Sequence, residues 1–147
     1  MRRALGIARS NLDAPFGCVI VDGGSGDVVS EGLNDAERSP ILHGEMVAII
    51  DLLEARPDIE REHLVLYTTA EPCPMCAGAL YWCGIPRVVY GTSTETLKNL
   101  GWPHIDLSAE EVSRRASPVG FETVGGVLEA ECDALFEEAA ARMEGGT

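Results

Sequence analysis

The sequence predicts an α/β fold: a sheet entered through a hairpin, containing parallel segments and covered by helices. Two observations carry this. Short runs rich in β-branched and apolar residues are bounded by turn formers, and from residue 63 to residue 91 strand, helix and strand follow one another.

Taken in order, Leu5, Ala8 and Leu12 stand at helical spacing, so a short first helix is expected over 2–11, stopped by Asp13-Ala14-Pro15. Gly17-Cys18-Val19-Ile20-Val21 reads as a strand. The turn Asp22-Gly23-Gly24-Ser25-Gly26 follows, and extended character resumes from Val28 to Asn34, completing a hairpin. Residues 35–40 are polar and turn-prone. A second helix is expected to begin near His43, with Met46, Val47, Ile49, Ile50 and Leu53 as its apolar positions, and to end before Pro57. His63-Leu64-Val65-Leu66-Tyr67-Thr68-Thr69 reads as a buried strand leaving through the loop Ala70-Glu71-Pro72. Pro74 suits the first turn of a third helix, and Gly84 is its natural C-cap. Arg87-Val88-Val89-Tyr90-Gly91 is a further strand. Between 92 and 120 the pattern is weak, with a turn of helix at 94–100 and another at 109–115. A last helix over 127–143 closes the chain, and 144–147 is expected to fray.

With 147 residues, 46% hydrophobic and 24% charged, the chain has the size and composition of one globular domain, 1–147. No apolar run approaches the roughly 20 residues that span a bilayer, and Met1-Arg2-Arg3-Ala4-Leu5 begins no secretory leader, so no membrane partner and a cytoplasmic location are expected. The formal charge is −13, and the 11 basic residues are arginines apart from Lys98. Polyphosphate backbones are bound by clustered Lys and Arg, and no cluster exceeds the pairs Arg2-Arg3 and Arg114-Arg115. The balance argues against nucleic acid and for a small substrate. Five cysteines form an odd, scattered set that fits no disulfide framework, and only Cys73 and Cys76 have ligand spacing. Cys18, Cys83 and Trp82 read as packing residues.

The chemistry concentrates in two places. His43-Gly44-Glu45 and Pro72-Cys73-Pro74-Met75-Cys76 both fall at expected helix N-termini, whose free N–H groups and positive dipole ends favour thiolate. One imidazole and two thiolates supply three ligands of a tetrahedral Zn²⁺ and leave the fourth position for water, the composition of a catalytic site. Glu45, two residues after His43, projects about 200° away on a regular helix and is unsuited as a fourth ligand. In a looser first turn it can carry a proton. The competing readings of the cysteines are a redox C-x-x-C pair and a structural zinc half-site, and the upstream H-x-E with no fourth ligand fits neither; Glu45 could alternatively complement the helix dipole.

H-x-E followed by P-C-x-x-C resembles the signature of zinc nucleobase deaminases, and the chain is similar to the cytidine-deaminase-like superfamily. The likeness extends over Pro15-Phe16-Gly17, Glu31-Gly32-Leu33-Asn34, both zinc motifs, Gly84-Ile85-Pro86-Arg87 and Gly126-Val127-Leu128-Glu129. Pro15-Phe16-Gly17, Pro72-Cys73-Pro74-Met75-Cys76 and Leu80-Tyr81-Trp82 resemble bacterial guanine deaminases. Leu42-His43-Gly44-Glu45 and Gly84-Ile85-Pro86-Arg87 resemble fungal-type cytosine deaminases. Residues 125–132 resemble the C-terminal helix of tRNA adenosine deaminases.

The resemblance implies a three-layer α-β-α fold on an about five-stranded mixed sheet, one Zn²⁺ per subunit on His43, Cys73 and Cys76, Glu45 as catalytic acid and base, and a homodimer. It implies hydrolytic removal of an exocyclic amine with release of ammonia, from a free purine base such as guanine. Cytosine, a nucleoside or adenosine in tRNA are the alternatives, and a zinc-stabilised binding module is the non-enzymatic one. It carries a ring-binding role onto Asn34, otherwise a turn former, and makes Phe16 either pocket wall or core. Trp102 and His104 either cap a planar substrate or fill their loop. Glu71 is a candidate for orienting the zinc-binding turn. Gly44 departs from the alanine usual in guanine and tRNA adenosine deaminases, and 92–118 matches no relative, which makes that stretch the candidate for choosing the substrate.

Overall fold

A computed structural model describes residues 1–146. The order is α1 (Arg2–Ala8), β1 (Gly17–Asp22), β2 (Val28–Leu33), α2 (Gly44–Ala55), β3 (Leu64–Ala70), α3 (Pro74–Cys83), β4 (Arg87–Thr92), α4 (Thr94–Asn99), α5 (Ala109–Arg115), β5 (Glu122–Val124) and α6 (Glu129–Gly145). The five strands form one mixed sheet in the order β2-β1-β3-β4-β5. β1 pairs antiparallel with β2 and β3, while β3–β4 and β4–β5 run parallel. The expected hairpin therefore leads into parallel segments.

Both faces of the sheet are covered, as the near-continuous apolar runs of β1, β3 and β4 require. On one face Ala48, Ile49 and Leu52 of α2 and Ala77 and Leu80 of α3 bury against Ile20, Leu64, Leu66 and Val88. On the other, Leu5 and Ala8 of α1 meet Cys132 and Leu135 of α6. The helix α3 ends where the sequence says: Gly84 takes φ +78°, the left-handed conformation that costs glycine least, and its N–H donates back to Tyr81.

Several expectations are corrected. The helix α1 stops at Ala8 rather than Asn11, and Arg9, Ser10 and Asn11 bond back into a closing turn. The last helix starts at Glu129 instead of Val127, because Leu128 adopts φ 51°, ψ 38° and cannot continue it. The strand β5 had no local signal. Its three residues lie at the sheet edge, held by the register Arg87↔Glu122 and an ion pair between those side chains. Trp82 is no packing residue: it stands 83% exposed on the uncovered side of α3, beside Tyr81. Cys18 and Cys83 are buried as expected. Of the tail expected to fray, Glu144 and Gly145 continue α6, and Thr147 lies outside the described residues. Among the described residues, no helix is long and apolar enough to cross a membrane.

Candidate active site

Proline chemistry shapes the metal motif. A residue before proline is pushed to extended backbone, and Cys73 precedes Pro74. Cys73 accordingly sits at φ −65°, ψ 166° as N-cap of α3, with Pro74 at the first position. His43 caps α2 with nearly the same geometry, φ −62°, ψ 159°. Neither side chain is spent on capping its own helix, so both turn toward one point. Cys76, in the first turn of α3, completes the set: His43 Nδ1 lies 3.5 Å from Cys73 Sγ and 3.7 Å from Cys76 Sγ. A tetrahedral zinc with ordinary Zn–N and Zn–S bonds has N···S edges of about 3.6 Å, so these donors fit that ion. The three ligand atoms lie within 4.8 Å of one another, with all five cysteines unpaired.

Because His43 stands outside the helix, the 200° separation from Glu45 on a regular helix does not apply. Glu45 is buried, 4% exposed, and its Oε2 lies 3.8 Å from Cys76 Sγ, over the metal ligands. Its other oxygen, Oε1, accepts a hydrogen bond of 3.2 Å from Thr68. Burial is the main cause that raises the Glu45 pKa, which suits a carboxyl that must both accept and return a proton. The Cys73 thiol is lowered to about 4, first by the hydrogen bond from Cys76 and then by His43. His43 is raised, chiefly by its bond to Cys73, and Cys76 is raised by the neighbouring Cys73 and by burial.

Above this floor lies a cavity of about 240 Å³ lined by Phe16, Asn34, Leu97, Trp102, Pro103 and His104 together with the site residues. Phe16 packs edge-on to Trp102 at 5.3 Å and against Phe136 at 4.9 Å, so it is pocket wall and core at once. Trp102 is likewise only 7% exposed, its Nε1 donating to the Phe136 carbonyl. His104 Nδ1 lies 3.1 Å from the Trp102 carbonyl. A carbonyl only accepts, so Nδ1 carries a proton in this contact. The Asn34 backbone N–H donates to the Phe16 carbonyl, tying two pocket residues together.

Residues 1–92 match the cytidine and deoxycytidylate deaminase zinc-binding region. The chain belongs to that family. The deaminase is 35% identical over 130 residues to a probable cytosine deaminase of Schizosaccharomyces pombe, spanning 84% of this chain and 78% of the relative. It is 34% identical over 135 residues to the tRNA-specific adenosine deaminase of Bacillus subtilis, with 88% and 77% covered. The guanine deaminase of the same organism is 33% identical over 123 residues, with 76% and 78% covered. Among solved structures it resembles a mutant protein in complex with 8-azaguanine, at TM-score 0.82 and 25% identity over 95% of this chain and 83% of the other. It is a zinc-type deaminase, a hydrolase acting on C–N bonds, and a redox role for Cys73 and Cys76 is set aside.

All the residues singled out in the deaminase sequence border one space: His43, Glu45 and Cys73 with Asn34, Phe16, Trp102 and His104, and Cys76 immediately behind. Glu71 corrects its expectation. Its Oε2 accepts from Thr94 N at the start of α4 rather than bracing the cysteine turn. Leu97, Pro103 and Ile105 of the wall were missed, since 92–118 carries no pattern, and so was Thr68, whose parity on β3 is its only sequence signal.

Proposed function

We propose that this deaminase acts on a free purine base, guanine or a guanine-like aminated ring, replacing the exocyclic amine with oxygen from water and releasing ammonia. The observation that carries this is the cavity itself. At about 240 Å³ it is below the span usual for drug-sized ligands, and it offers flat apolar walls with few polar groups at its rim. The guanine deaminase relative and the 8-azaguanine complex of a similar fold support the same class. The formal charge of −13 argues against a polyanionic substrate.

His43, Cys73 and Cys76 would hold the zinc, which when bound would act as a Lewis acid that eases deprotonation of water. Phe16 packs against one face of the ring, buttressed edge-on by Trp102, and the apolar wall excludes bulk water. Asn34 and His104 meet the ring's polar edge. Glu45, fixed at Oε1 by Thr68, uses Oε2 to take the proton released as the water oxygen bonds to the ring carbon. It returns that proton to the amine nitrogen as the C–N bond breaks, so one water is consumed and one ammonia leaves.

Cytosine is the second reading, favoured by the S. pombe relative. Zinc-loaded protein and Glu45→Ala are to be incubated with guanine, cytosine, adenine, their nucleosides and tRNA while ammonia is followed. Guanine turnover that vanishes in Glu45→Ala is the expected result. Turnover of cytosine or tRNA alone would move the substrate, and zinc-bound protein inert toward all of them would favour a binding module.

A further inference from the structure

We propose that neighbouring threonines at the end of β3 divide the labour of the site: Thr68 positions Glu45 for proton transfer, and Thr69 positions the ring-binding wall at Phe16. The inference rests on the deaminase reading above. Successive side chains of a strand point to opposite faces. Thr68 shares parity with Leu64 and Leu66, which face α2 and α3, and its hydroxyl donates to Glu45 Oε1 at 3.2 Å. Thr69 points the other way. Its hydroxyl donates to the Pro15 carbonyl at 2.9 Å and accepts from Gly17 N at 3.2 Å, clasping the residues on either side of Phe16. Both threonines are buried, so no water replaces these bonds cheaply.

The two bonds act on different coordinates. A carboxylate bonded at one oxygen cannot rotate freely, so Thr68 leaves Oε2 as the oxygen facing the metal ligands, 3.8 Å from Cys76 Sγ. The Pro15–Gly17 clasp fixes where the Phe16 ring stands edge-on to Trp102, and hence the wall along which a planar ring slides into the cavity. Neither threonine lines the cavity, so each acts through the residue it holds.

The test compares Thr68→Val and Thr69→Val. Thr68→Val is expected to lower kcat roughly tenfold to a hundredfold, as loss of a bond to a charged group does, with KM nearly unchanged. Thr69→Val is expected to raise KM about tenfold with kcat nearly unchanged. The serine variants, which keep the hydroxyl, restore each parameter to within about threefold. If Thr69→Val does not fold, Thr69→Ala serves, with the same shift expected.

Two readouts need no turnover. In a Trp82→Phe background Trp102 is the remaining tryptophan, and its emission is expected to shift in Thr69→Val and not in Thr68→Val. In crystals, Glu45 is expected to swing from Cys76 in the first variant and the Phe16 segment to move in the second. Variants that shift kcat and KM together, or leave Glu45 and Phe16 where they are, overturn the division. Wild-type protein that deaminates no ring overturns the enzymatic reading instead, and the emission and crystal results then judge the positioning roles alone.

Discussion

The floor and the roof of the cavity are built differently. The floor rests on the beginnings of α2 and α3 and the end of the central strand β3, with Glu45, Thr68 and Cys76 all buried. The roof comes from α4 and the loop after it, where His104 is exposed and Ile105 is 60% exposed. The proposed bond-making parts sit on helix and strand ends, whereas the proposed ring wall is split between Phe16 and Asn34 beside β1 and β2 and a segment with little regular structure after α4. Chemistry common to many deaminases and a preference particular to one of them can thus be separated in space.

The sharpest break is at the floor. Cys76→Ser removes one of the three donors, and zinc content by metal analysis is expected to drop well below one ion per chain, with ammonia release falling to background. Retained metal and turnover would sink the assigned ligand set.

Gly44→Ala attacks the seam between the floor and the Phe16 wall. A Cβ there would lie 2.5 Å from the Phe16 carbonyl, so β1 must retreat from α2. We expect a loss of about 1–3 kcal/mol in stability, read as a lower urea midpoint, together with weaker ring binding. Unchanged stability would show that the two regions yield independently.

His104→Ala touches the roof alone. Losing one neutral hydrogen bond is expected to cut kcat/KM about threefold to tenfold while zinc content and melting temperature hold.

The smallest effect concerns the brace between the regions. Tyr90 is pushed up to about 12, first by burial and then by the charge and hydrogen bond of Glu71, which also caps α4 at Thr94. The fold holds the phenol proton more tightly than the unfolded chain, whose tyrosine titrates near 10. The stabilisation is therefore whole below pH 10 and lost as pH rises through 12. Urea midpoints at pH 9 and pH 11 are expected to fall further apart in the wild type than in Tyr90→Phe.

Much of the floor was legible in the sequence. Periodicity gave β1, α2, β3, α3 and β4, and Pro74 and Gly84 marked the bounds of α3, because these signals are local. The metal set was legible because His-x-Glu and Cys-x-x-Cys encode geometry in short spacings. What escaped depends on distant partners. Thr68 becomes a partner of Glu45 only when α2 docks on β3, and Glu71 bonds Thr94 across a turn whose course no local preference dictates. β5 forms by pairing its backbone with the edge of β4, a partner 35 residues away in sequence. The exposure of Trp82 follows from where α3 has no neighbour, which its own composition does not reveal.

Gly32 and Gly44 bring β2 and α2 into backbone contact: a Cβ on Gly32 would fall 2.0 Å from the Gly44 carbonyl oxygen. A side chain at Gly32 would drive β2 away from α2, so little variation can enter the site from that direction. Divergence toward a new ring is channelled to Leu97, Pro103, His104 and Ile105, and a directed-evolution library confined to those four codons samples the side of the pocket that is free to change.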